Sequence, residues 1–128
     1  MDRMQAEYNI LSLAYLGDSV FEVFVREYLI KANKTKPNEL HKEAIKIVNA
    51  KTQAIIYKHI LNDLTEEEKQ IANRAKNAKI HRALSMNLAD YKLATAFEAV
   101  LGFLKLSGNK ERIKKLCDMA LTSLDGEA

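Results

Sequence analysis

Three carboxylates sit in apolar company. Asp18 and Glu22 lie in "LAYLGDSVFEVFVREYL" (residues 13–29), and Glu98 lies in "LATAFEAVLGFL" (93–104), the most apolar stretch of the chain. An ionised carboxylate in a dry core is costly unless it is paired, hydrogen-bonded or bound to a metal. Glu22 finds an answer on its own helix, because Arg26 stands four residues on, at ion-pair spacing. Asp18 and Glu98 have no such local cation. For them two readings stand. In one, Asp18 hydrogen-bonds near Gly17 while Glu98 meets a lysine or tyrosine. In the other, two helices pack side by side and bring Asp18 and Glu98 together as hard oxygen ligands for Mg²⁺, which is held by one or two carboxylates plus water and substrate phosphate. Such a site activates water and neutralises charge that builds on a phosphodiester. Gly17, having no side chain, would allow close approach next to Asp18.

The elements that must position these acids are helical. One proline, four glycines and no long alternating β-branched runs leave apolar residues recurring at three and four, so the chain reads as all-α. A first helix is expected from Ile10 to Lys31, burying Leu13, Leu16, Val20, Phe24 and Leu29. A second runs from about Asn38 to Leu61, with Leu40, Ile47, Val48, Ala54 and Ile55 inward. Thr65 followed by Glu68 is a capping-box pattern for a third helix that fades near Lys76. Residues 77–90 read as a partly ordered loop. A fourth helix, Leu88 to Leu106, is apolar nearly all round, belongs in the centre, and stops at Ser107-Gly108. A last amphipathic helix spans about Asn109 to Gly126.

At 128 residues and 48% hydrophobic, the chain is sized for one core, and a single domain over 1–128 is expected. Its only cysteine, Cys117, has no partner for a bridge and falls on an apolar stripe, as a small core residue would. No charged-then-apolar leader opens the sequence, so a cytoplasmic setting is expected. Charged residues interrupt every apolar run before it reaches the ~20 residues of a membrane span. The net charge of +3 is unevenly spread: residues 31–58 carry 7 basic and 2 acidic side chains, residues 69–92 carry 6 and 1, and the intervening 59–68 carry 0 and 4. Two basic segments flanking an acidic turn suit a polyanion, although Lys-rich faces are as often merely solvated. The histidines His41, His59 and His81 lack metal-ligand spacing.

"YLGDSVFE" at 15–22 resembles the signature helix of the ribonuclease III family, and "ATAFEAVLGFLKL" at 94–106 resembles its second catalytic helix. "TKPNELHK" at 35–42, "NAK" at 77–79 and an ending near residue 128 without a double-stranded-RNA-binding domain resemble the Mini-III subfamily. The resemblance implies a helical-bundle endonuclease domain that works as a homodimer and uses Mg²⁺, with Mn²⁺ able to stand in. It also implies cleavage of double-stranded RNA and, in this subfamily, trimming of the ends of the large-subunit (23S) ribosomal RNA precursor, with a ribosomal protein on the precursor as a candidate partner. Asp18 and Glu98 match the family's metal ligands, and Glu22 either backs that shell or pairs with Arg26. The larger enzymes carry two further acids where this chain has Ala14 and Thr95; Mini-III proteins resemble it in both losses. Fewer ligands would leave more of the coordination to water and RNA.

Tyr15 falls where the family places an aromatic residue at the dimer contact, a core tyrosine being the other reading. RNA contacts are expected mainly to phosphate and 2′-hydroxyl groups, from Lys36, His41, Lys42, Arg74, Lys76, Asn77, Lys79 and Arg82. The competing reading is a non-catalytic helical RNA-binding module of ribosome assembly, which shares the basic segments but has no use for a metal. A protein-binding helical adaptor is a third.

Overall fold

A computed structural model of the chain describes residues 8–32, 36–79 and 87–125. Arg82, and residues 80–86 of the segment expected to be a loop, lie outside the described residues. Within them the chain forms six α-helices: α1 (Ile10–Lys31), α2 (Pro37–Ile47), α3 (Ala50–Ile60), α4 (Glu66–Lys76), α5 (Leu88–Leu106) and α6 (Lys110–Asp125). A single 3-10 turn, Leu61–Asp63, joins α3 to the approach of α4. No described helix is long and apolar enough to cross a membrane.

α5 is the axis. It packs against α1, α3, α4 and α6, and every residue from Ala94 to Leu104 except Glu98 is buried. A helix apolar on all sides belongs where neighbours surround it, as its sequence requires. α1 lies along it most extensively, and Phe21 meets Phe97 edge-to-face with ring centroids 5.0 Å apart. The buried line on α1 is Leu13, Gly17, Phe21, Val25 and Leu29, with Ala14 beside it. Of the residues expected inward, Leu13 and Leu29 are buried, while Leu16, Val20 and Phe24 are half-buried and line a groove shared with Ile113 of α6. The stripe is turned from the expected one because Gly17 and Ala14, which a hydrophobic pattern passes over, lie on the face toward α5 with Leu13 and Phe21.

The expected helix from Asn38 to Leu61 is two helices. Asn49 is extended and caps α3, its Oδ1 accepting the Thr52 N–H at 2.8 Å, while its Nδ2 donates to the carbonyls of Ile45 and Lys46 at the end of α2. The Thr52 hydroxyl also donates to the Lys46 carbonyl. Asn and Thr side chains compete with helical hydrogen bonds, and here they convert the middle of a long apolar pattern into a corner. The break resets the phase, so that Gln53, Ala54, Ile56, Tyr57 and Ile60 are buried on α3, whereas Ile55 is half-buried.

The capping box at the start of α4 is complete: the Thr65 hydroxyl accepts from the Glu68 N–H, and Glu68 accepts from the Thr65 N–H. The same Glu68 takes two hydrogen bonds at 2.8 Å from Arg112 of α6, whose guanidinium also reaches the Asp63 carbonyl at 2.6 Å. One nearly inaccessible carboxylate thus starts α4 and ties it to α6, and Arg112 with the Thr65 bonds outweighs burial and holds its carboxyl below the usual range. At the other end of α5, Gly108 has φ 75°, Gly108 N–H bonds the Lys105 carbonyl, and Asn109 N–H bonds that of Leu104, which is a Schellman stop. Cys117 is fully buried on α6, and burial pushes its thiol up to about 12, which makes it an inert core residue.

Candidate active site

The site follows from two glycines. A Cβ placed on Gly17 would overlap the Glu98 carbonyl oxygen of α5, and one placed on Gly102 would overlap the Leu13 carbonyl oxygen of α1. Each glycine therefore admits the backbone of the other helix, and α1 and α5 cross in direct main-chain contact. Asp18 follows Gly17 immediately, and Glu98 precedes Gly102 by one turn. The crossing brings their carboxyl groups close enough for Asp18 to act directly on the Glu98 carboxyl.

The two acids are not equivalent. Asp18, expected in a buried setting, is exposed; it stands at the rim of the crossing, because the buried line of α1 passes through Gly17 beside it. Glu98 is half-buried. Burial, and after it the neighbouring Asp18, push the Glu98 carboxyl up to about 8 against a weaker opposing bond from Gln53. That bond runs from Gln53 Nε2 to Glu98 Oε2 at 3.1 Å, from an amide only 4% exposed. Gln53 was not among the residues the sequence singled out. Its one signal is a polar side chain on the inward face of α3, legible only once the break at Asn49 fixes the phase.

Glu22 pairs with Arg26 at 2.9 Å, one turn along α1 from Asp18. Among the described residues no three His, Cys, Asp or Glu side chains converge as a metal cage. Ala14 supplies no donor, and the Thr95 hydroxyl is turned back onto the Tyr91 carbonyl of its own helix at 2.8 Å. Of the residues expected to contact RNA, Lys36, His41, Lys42, Arg74, Asn77 and Lys79 are exposed and Lys76 is half-buried. They form two groups, one opening α2 and the other closing α4. His41 shares with Glu22 and Arg26 a groove of about 410 Å³ between α1 and α2. Tyr15 is 82% exposed, which rules out the core reading, and Leu11, Val23 and Ile30 add apolar surface on the same side of α1.

The raised Glu98 carboxyl has a consequence for stability. The folded chain keeps a proton that the unfolded chain releases near 4.5, so folding stability falls as pH rises from about 4.5 through about 8 and levels off above. The loss should be on the order of a few kcal/mol, and Glu98→Gln should remove most of it. Urea unfolding of both proteins in metal-free buffer at several pH values across that window checks this; parallel pH profiles would contradict it.

Residues 11–109 match the family described as Ribonuclease III domain. The chain is 40% identical over 118 residues to a Mini-ribonuclease 3 of Enterococcus faecalis, covering 90% of this chain and 89% of that one. It is 42% identical over 121 residues to a Mini-ribonuclease 3 of Brevibacillus brevis, covering 94% and 90%. Its fold is similar to the crystal structure of Protein FN1578 from Fusobacterium nucleatum, with a TM-score of 0.82, 40% identity, and coverage of 91% of this chain and 95% of that one. With two acids meeting at a glycine crossing inside the matched region, the chain belongs to the ribonuclease III family, among the Mini-ribonuclease 3 endoribonucleases.

Proposed function

We propose that this endoribonuclease is Mg²⁺-dependent, acts on double-stranded RNA as a homodimer in the cytoplasm, and trims the ends of the 23S ribosomal RNA precursor. The observation that carries the metal requirement is the Asp18–Glu98 pair. Two carboxylates held together at an open rim repel one another, and the more buried of them retains its proton near neutral pH unless a cation replaces it. The donor set suits Mg²⁺: hard oxygens, two carboxylates, and an exposed side left for water and a substrate phosphate. When bound there, Mg²⁺ would lower the pKa of a coordinated water and offset charge on the phosphodiester.

The protein's own share is to fix the two carboxylates and to seat the duplex. Lys36, Lys42, Lys76 and Lys79 offer point charges to phosphates, and His41 and Asn77 offer donors to phosphate or 2′-hydroxyl oxygens. The exposed Tyr15, Val23 and Ile30 face supports pairing through α1, since apolar surface of this kind marks an interface. A dimer would set two such sites on one duplex.

Cleavage of a structured precursor RNA, run with Mg²⁺ and with excess chelator, tests the reading. Cutting should stop in chelator while binding persists, and affinity should drop steeply with salt, by on the order of 10³-fold or more between 50 and 200 mM for about six phosphate contacts. Cleavage in chelator would refute the metal requirement, and flat salt dependence would refute the basic footprint. Binding without any cutting would instead favour the non-catalytic module.

A further inference from the structure

We propose that Gln53 is a positioning residue for Glu98: its side-chain amide fixes the rotamer and accessible oxygen of that carboxylate and thereby sets the affinity of the site for its divalent cation. The inference rests on the reading of Asp18 and Glu98 as the metal pair.

The geometry is that of a placed donor. Gln53 is 4% exposed, and a buried amide needs partners; its Nε2 spends itself on Glu98 Oε2 at 3.1 Å, across from α3 to α5. Among the described residues this is the one N–H donor that the Glu98 carboxylate receives. The backbone that carries the amide is itself anchored. Gln53 N–H bonds the Asn49 carbonyl at 2.9 Å in the first turn of α3, the turn that Asn49 and Thr52 pin to the end of α2 through three side-chain hydrogen bonds and that Asn49 Oδ1 caps through the Thr52 N–H. The corner that splits the expected long helix is therefore also what aims Gln53 at the site.

The chemistry of the amide matters as much as its place. A lysine here would neutralise Glu98 and compete with a cation, and another carboxylate would add a third repelling charge. An amide donates one hydrogen bond and leaves both negative charges for the metal. On the α1 and α5 faces nothing else does this work, since Ala14 has no polar group and Thr95 bonds its own helix. Groups that orient a metal ligand from behind typically govern about 10–100-fold in metal affinity or activity.

The test uses the full-length protein and two variants. Gln53→Met removes the donor while keeping length and apolar packing; Gln53→Asn keeps the amide but draws it back by one methylene. Mn²⁺ binding is measured without RNA, by the loss of the free-ion electron paramagnetic resonance signal. Both variants should bind Mn²⁺ about 10–100-fold more weakly, and the Mg²⁺ needed for half-maximal cleavage should rise by a similar factor. Saturating Mg²⁺ should restore most of kcat, and KM for RNA should hold steady, which a misfolded or merely destabilised protein would not do. If Gln53→Met melts far below the parent, Gln53→Asn carries the comparison. Mn²⁺ affinities within about twofold of the parent in both variants would overturn the inference. Should Glu98→Gln bind Mn²⁺ as tightly as the parent, the metal pair itself is misassigned, and the inference falls for that separate reason.

Discussion

Asp18→Asn and Glu98→Gln should each lower kcat by ~10³-fold or more while leaving the affinity for duplex RNA within a few-fold of the parent. A metal at a phosphodiester supplies several kcal/mol of transition-state stabilisation, and each ~1.4 kcal/mol is worth a factor of ten in rate. With only two carboxylates converging among the described residues, a neutral amide at either one removes half of the protein's charge on the cation. The two variants separate in a second respect. Removing the Asp18 charge takes away one of the influences that hold the Glu98 proton, so Asp18→Asn should bring that carboxyl down from about 8 without restoring the ordinary value, because burial remains. Glu98→Gln deletes the titration altogether and should be more stable than the parent above about pH 8 in metal-free buffer. Loss of cutting in a protein that unfolds later cannot be ascribed to misfolding. Single-turnover cleavage and urea unfolding on the same preparations decide it; a parental rate in either variant would remove that residue from the catalytic machinery.

What the sequence showed and what it hid have physical reasons. Asp18 and Glu98 stood out because each is a charge inside an apolar pattern, and the capping box and glycine stop were readable because they are local bonds between near neighbours. Cys117 was readable as core for the same reason of pattern. The corner at Asn49 was not, because Leu40, Ile47, Val48 and Ala54 continue an apolar spacing across it while the break depends on Asn49 and Thr52 reaching back to α2. Losing that corner hid Gln53, whose role depends on a helix phase set by the corner and on a contact 45 residues away. The exposure of Asp18 escaped notice for a related reason: the inward line of α1 is built on Gly17, and a hydrophobic pattern gives no weight to a residue valued for what it lacks.

That missing side chain governs the other large effect. Gly17→Ala would ordinarily stabilise a helix interior by up to about 1 kcal/mol. Here the added Cβ would collide with the Glu98 carbonyl and lie 2.9 Å from the Gly102 nitrogen, both of them backbone atoms that cannot rotate away. α1 and α5 would have to part by on the order of 1 Å, loosening the core around Phe21 and Phe97, and overpacking of this severity costs about 3 kcal/mol or more. Gly102→Ala should behave alike, since its Cβ meets the Leu13 carbonyl. Gly108→Ala is the control: nothing lies within 4 Å of its Cβ, and only the left-handed backbone is strained, at about 1 kcal/mol. The catalytic effect should exceed the stability effect. Gly17 adjoins Asp18 and abuts Glu98, so parting the helices moves the two carboxylates relative to each other, and a shift of about 1 Å in a reacting array can lower rate by ~10²-fold. Guanidinium unfolding at constant m, with cleavage assayed where each variant is still fully folded, separates the two losses. Parental stability in Gly17→Ala would show that the helices do not meet backbone to backbone, and with it would go the account of how Asp18 and Glu98 come together.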